Sequence, residues 1–176
     1  MLENLYQFSR SRISWLLLII AMIAFELCAL YFQHVMLLSP CVMCIYERVA
    51  MLGIAIAGII GISQPKNSIL RGLGLVGWIA SSAKGLSLAL EHVSYQFNPS
   101  PFNTCDIFVN FPSWAPLDQW VPWMFLPTGT CSKIVWTFLD LSMPQWLVII
   151  FGASLVVAIL FTLLQAVGLK KHHASK

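Results

Sequence analysis

Four long apolar runs, separated by polar or proline-bearing segments, set the pattern of this chain. The first runs from Ser14 to Phe32 and is broken only by Glu26. The second runs from Ile45 to Ile62 with Glu47 and Arg48 in its first turn, and the third from Gly72 to Leu90 with Lys84 inside it. The fourth, Trp146 to Leu169, carries no charge. A helix that crosses the hydrocarbon core of a bilayer needs roughly 20 predominantly apolar residues, and each run is of that order. Every backbone polar group in lipid must be paired, so these runs are read as helices rather than strands. The two-residue alternation of a membrane barrel is absent. The pattern therefore predicts an all-α membrane protein, a single domain over residues 1–176 built as a four-transmembrane-helix bundle. The expected spans are about 14–32, 45–62, 72–90 and 146–169. Between them lie a short loop at about 33–44, a shorter one at 63–71 broken by Pro65, and a long one at about 91–145. The long loop holds seven of the nine prolines and so cannot be one helix.

Composition agrees with the pattern. Hydrophobic residues make up 59% of the chain and charged residues 10%, against about 25% charged in a soluble domain. The net charge of +3 matters less than where the charges fall. Arg10, Arg12, Lys66, Arg71, Lys170, Lys171 and Lys176 share one side of the predicted bundle, and Lys133 alone occupies loops on the other. By the positive-inside rule both termini are expected in the cytoplasm and the long loop outside. The first apolar run is too long for a signal peptide and no small-residue cleavage site follows it, so it reads as an uncleaved span. No basic stripe with interleaved aromatics supports nucleic-acid binding. The Lys-Lys-His-His-Ala-Ser-Lys ending reads as a cytoplasmic anchor, with a metal role for His172 and His173 the weaker reading.

That orientation puts Cys41, Cys44, Cys105 and Cys131 on the side where disulfides persist, and leaves Cys28 within the first span as a small hydrophobe. Cys41-Val-Met-Cys44 opens the second span, behind Pro40, which biases Ser39 away from helix. At a helix start, unpaired N–H groups and the macrodipole favour a thiolate, the reactive form of cysteine. The pair is read as redox-active, against a structural disulfide or half of a zinc site. Arg48 follows Cys44 by four residues and shares its helix face. It either favours the thiolate and binds a polar carbonyl oxygen, or snorkels to the headgroups. Glu47 is expected to point elsewhere and receives no role.

Cys105 and Cys131 lie 26 positions apart in the long loop. They either pin that loop or carry oxidising equivalents between two sites, and residue physics alone leaves both open. Between them, the tryptophan-rich stretch from Trp114 to Phe125 is nearly uncharged. It is expected to rest on the outer leaflet with a short helix near Leu117 to Val121. Docking of a partner is its rival use. Glu26 and Lys84 are costly intramembrane charges that either mark function or simply pair with each other. Glu91 and His92 fall at the outer end of the third span, where His92 either moves a proton for a reduced acceptor or is a solvated interfacial residue.

Taken together these motifs resemble the bacterial DsbB family of thiol oxidases. The resemblance is carried by Trp-Leu-Leu-Leu in the first span, Glu26 through His34 and Val-Met-Leu-Leu, and Cys41-Val-Met-Cys44-Ile-Tyr-Glu-Arg48. It continues through Glu91-His92, Pro99-Ser-Pro-Phe, Thr104-Cys105-Asp106, Phe111-Pro, Pro116 to Pro122, Gly129-Thr-Cys131 and Met143-Pro-Gln-Trp146, over roughly residues 14 to 165. It implies an inner-membrane protein that reoxidises a DsbA-like periplasmic thiol oxidase and passes the electrons to ubiquinone or menaquinone, and so to the respiratory chain. It further implies that a Cys105–Cys131 disulfide oxidises the partner, with Cys105 attacked first, and that Cys41 exchanges with the loop pair. Cys44 would then face the quinone, with Arg48 and His92 beside it. Lys84 stands where some members are expected to carry arginine, and no role is carried to it. Two rivals share parts of the pattern. One is a thiol enzyme of the vitamin K epoxide reductase-like family running in the opposite sense. The other is a membrane scaffold with two structural disulfides. The order of the motifs and the Glu-Arg after the second cysteine favour the first reading.

Overall fold

A computed structural model describes residues 2–98 and 104–174. The Pro99-Ser-Pro-Phe motif and Lys176 lie outside the described residues, as do the side chains of Lys170, Lys171, His172 and His173. Among the described residues four helices are long and apolar enough to cross a membrane: α2 (Arg12–His34), α3 (Val42–Ser63), α4 (Ser68–Phe97) and α7 (Met143–Ala174). A short helix α1 (Leu2–Ser9) precedes them, and the loop after α4 contains α5 (Leu117–Trp120), α6 (Pro122–Phe125) and a two-stranded hairpin, β1 (Thr137–Phe138) and β2 (Leu141–Ser142). The helix starts are capped as their sequences allow. Ser11 Oγ accepts from Ser14 N–H, and Asn67 Oδ1 accepts from Ile69 N–H. Leu139 and Asp140 both have positive φ, the conformation a tight two-residue hairpin turn requires.

Helices α3 and α4 form the middle of the bundle, with α2 packed on α3 and α7 on α4. Lipid tails are as apolar as leucine, so close packing and small residues, more than hydrophobicity, hold such helices together. Trp15 lies over Gly61, Phe151 over Gly85, and Gly74 against the backbone of Ala57 and Gly61. Trp15 and Trp78 meet edge-on at 6.0 Å, and Trp78 meets Phe161 at 5.7 Å. Polar pins cross the same layer: Trp78 Nε1 donates to Ser154 Oγ at 2.8 Å, and Ser82 and Ser154 share a hydrogen bond at 3.0 Å. At the end of the bundle near α1, buried Arg71 donates to Gln165 and to the Pro65 carbonyl, and Gln165 donates to the Ser9 carbonyl. A Cβ on Gly85 would overlap the Phe151 ring. Gly85→Leu is therefore expected to lower stability by about 1–3 kcal/mol through overpacking. Gly72→Leu, whose Cβ meets nothing, should leave thermal unfolding in detergent unchanged.

The structure overturns one candidate pairing. Glu26 does not pair with Lys84. Its carboxylate meets Arg48 Nε at 3.0 Å, both side chains buried between α2 and α3. Lys84 instead lines a groove between α3 and α4 together with Tyr46 and Ser81. The lines of the helices explain this: Glu26 and Arg48 sit on facing sides of adjacent helices, whereas Lys84 is exposed on α4. Cys28 is exposed on α2 and makes no disulfide.

Candidate functional site

The site forms where the chain turns into α3. Pro40 keeps the approach extended, and Cys41 is the N-cap of the helix: its sulfur accepts from Cys44 N–H at 3.3 Å. One turn of helix then brings the Cys44 sulfur to 2.7 Å from that of Cys41. Cys41 is buried and Cys44 half-buried. The two sulfurs and His92 place ligand-type atoms within 4.8 Å of one another. Two thiolates on one tetrahedral zinc, each about 2.3 Å from it, would stand about 3.8 Å apart. The observed separation suits a pair that opens and closes a disulfide.

His92 reaches the pair from α4. Its Nε2 lies 3.4 Å from Cys41 Sγ, and its Nδ1 lies 3.0 Å from Glu47 Oε1. All three residues are buried. Glu47 is thus part of the site, against the expectation that it points elsewhere. On a helix turning about 100° per residue, Glu47 stands about 60° to one side of Cys44 and Arg48 about 40° to the other. A carboxylate within a membrane helix needs a partner to be tolerated, and that cost was the signal in the sequence.

Arg48 occupies the opposite flank. Besides Glu26, its guanidinium donates to Gln33 Oε1 at 2.8 Å and to the Met124 carbonyl. Gln33 in turn donates to the Trp123 carbonyl at 2.9 Å. Arg48 and Gln33 therefore fasten α6 of the long loop to α2 and α3. Gln33 had no distinguishing pattern in the sequence beyond its place in the first loop. Trp114, Trp120 and Trp123 are exposed along this stretch.

The long loop is folded back over the site. Cys105 and Cys131 form a disulfide. Cys131 is buried in one cluster with Cys41, Met43 and Leu88, while Cys105 lies at its edge, half-buried, with Cys44, Tyr46 and Tyr95. Tyr46 accepts from Asn110 N–H at 2.7 Å and packs on Phe111. All four loop-side cysteines singled out in the sequence thus meet in one place. A cavity of about 380 Å³ opens beside them. It is lined on its apolar side by Leu37, Leu38, Val135, Trp136 and Met143, and on its polar side by Cys41, Cys44, His92 and Gln96. Its size and mixed lining suit a flat ring bearing hydrogen-bond acceptors. Arg48 does not line this cavity but lies one helical turn beyond Cys44 on α3.

Residues 11–161 match the family model described as disulfide bond formation protein DsbB. A protein named disulfide bond formation protein B from Vibrio parahaemolyticus is 64% identical over 169 residues, covering 96% of this chain and 95% of its own. Its namesake from Vibrio cholerae is 62% identical, covering 93% of this chain and 95% of its own. Another from Psychromonas ingrahamii is 53% identical, covering 93% and 88%.

Proposed function

The chain belongs to the DsbB family of disulfide bond formation proteins, and from that premise we propose that it moves electrons from a DsbA-like periplasmic dithiol to a membrane quinone. In this reading the multi-pass protein sits in the inner membrane with its termini in the cytoplasm and its cysteine pairs at the periplasmic face. The observation that carries it is the meeting of two cysteine pairs in one buried cluster, beside a cavity that opens on Cys44 and His92.

The exchange runs in balanced steps. A thiolate of the partner attacks Cys105, the more accessible sulfur of the loop disulfide. The Cys105–Cys131 bond breaks and Cys131 leaves as a thiolate. The partner's second thiolate then attacks its own bound sulfur, departs as a disulfide and leaves Cys105 reduced. Cys131 attacks Cys41 of an oxidised Cys41–Cys44 pair and expels Cys44 as a thiolate. Cys105 resolves the mixed bond and expels Cys41. Each step exchanges one sulfur–sulfur bond for another, so the two electrons of the partner now reside on Cys41 and Cys44.

Exchange alone makes no net disulfide, and a quinone, ubiquinone or menaquinone, supplies the two-electron, two-proton sink when bound. Cys44 and His92, which line the cavity, would hold it there, and Arg48, one turn beyond Cys44 and outside the cavity lining, would bind a ring carbonyl oxygen. The Glu47 carboxylate accepts from His92 Nδ1–H, which turns the lone pair of Nε2 towards Cys41 and lets the imidazole hold the thiol proton. Arg48 keeps a fixed positive charge one turn from Cys44.

The test is to supply reduced DsbA-like protein and a short-chain ubiquinone to the purified chain in detergent. Quinone reduction that depends on all three components supports the reading, and none above the protein-free rate overturns it. Arg48→Ala is expected to raise the quinone KM by about tenfold or more, the worth of a charge-assisted hydrogen bond. Exchange between the cysteine pairs should change less. A KM equal to that of the unaltered protein would remove Arg48 from the quinone site.

A further inference from the structure

The segment that carries Cys131 is strapped to the segment that carries Cys41. Thr128 N–H and Gly129 N–H both donate to the Pro40 carbonyl, each at 2.8 Å. Pro40 immediately precedes Cys41, and Gly129 lies two residues before Cys131. The fit leaves no room for a side chain, because a Cβ on Gly129 would overlap the Ser39 carbonyl oxygen. Gly129 has no positive φ, so what the position demands is the missing Cβ and not glycine's backbone freedom. A backbone oxygen cannot swing aside as a side chain can, so any larger residue must lift the strap away. The contact is backbone to backbone on both sides. The two strapped segments run directly into Cys41 and Cys131, which share one buried cluster.

We propose that Gly129 is a positioning residue, and that the strap it forms on the Pro40 carbonyl holds Cys131 in register with Cys41 for exchange between the two pairs. This rests on the exchange sequence proposed above and adds the device that makes it an intramolecular, oriented reaction. Holding two reacting groups in place replaces an encounter with a local event, and small displacements are costly.

The test reads bond formation directly. With Cys28→Ser throughout, the variant Cys44→Ser/Cys105→Ser keeps only Cys41 and Cys131. Diamide is added as oxidant and takes up the two electrons and two protons that the new Cys41–Cys131 bond releases. Gly129→Ala is expected to slow this bond by about tenfold or more. In the companion variant Cys105→Ser/Cys131→Ser, closure of Cys41–Cys44 by diamide should keep its rate with or without Gly129→Ala. Thr128→Pro removes one donor to Pro40 without placing a Cβ against Ser39, and should also slow the inter-pair bond; it decides the matter if Gly129→Ala does not fold. An unchanged inter-pair rate overturns the proposal. Equal slowing of both bonds overturns it too, since Gly129 would then serve the local structure of α3's start. The quinone assay is separate: a working strap in a protein that reduces no quinone would contradict the proposed function and leave the strap standing.

Discussion

Cys44→Ser is expected to give a protein that inserts and unfolds like the unaltered chain yet reduces no quinone. Serine matches cysteine in shape, and Cys44 is only half-buried, so the change in stability should stay within about 1 kcal/mol. Chemistry is another matter. A hydroxyl cannot form the second half of a disulfide, so Cys41 has no partner to be expelled when Cys131 attacks, and two electrons cannot collect on the pair. The loss should be complete, where Arg48→Ala leaves turnover at raised quinone. A structural scaffold with two disulfides makes the opposite forecast: Cys44→Ser would lower the unfolding temperature and alter no electron flow.

Glu26→Ala is expected to be the most destabilising single change in the bundle, by about 3–5 kcal/mol, because it leaves the Arg48 guanidinium buried without its countercharge. Both side chains of this pair are buried, and Arg48 also fastens Gln33 and α6, so the orphaned charge pulls against three elements at once. Glu26→Leu combined with Arg48→Met should recover most of that loss, since it removes both desolvation costs together. Thermal unfolding of the single and double variants in detergent gives the coupling. A Glu26→Ala protein as stable as the parent would mean that the pair is solvated and does not anchor α2 to α3.

The parts of the molecule that were legible in the sequence are those with a single cause. Four long helices follow from run length, because lipid leaves the backbone no other way to pair. Cys41 and Cys44 announce themselves by spacing and by Pro40, and the short helix at Leu117–Trp120 by its place in a tryptophan-rich, nearly uncharged stretch. Helix α1 and the hairpin at Thr137–Ser142 were not foreseen, since eight and six residues carry too little pattern. Pairings between helices were harder, because a sequence does not state how one helix is rotated against the next. Lys84 therefore looked like the partner of Glu26, when Arg48 on α3 faces it. Glu47 was passed over although it flanks Cys44 as closely as Arg48 does. The docking of the long loop was invisible for a different reason. Among its anchors are the carbonyls of Pro40, Trp123 and Met124, and a carbonyl is the same in every residue.

The most direct test of the central claim is a count of products under anaerobic conditions. Reduced DsbA-like protein, the purified chain and excess ubiquinone are mixed without oxygen, and disulfide and quinol are both quantified. Two electrons leave each dithiol, so the account predicts one quinol for every disulfide formed, through many turnovers. Disulfide formed without matching quinol, or a reaction that stops after the protein's own disulfides are consumed, would contradict it.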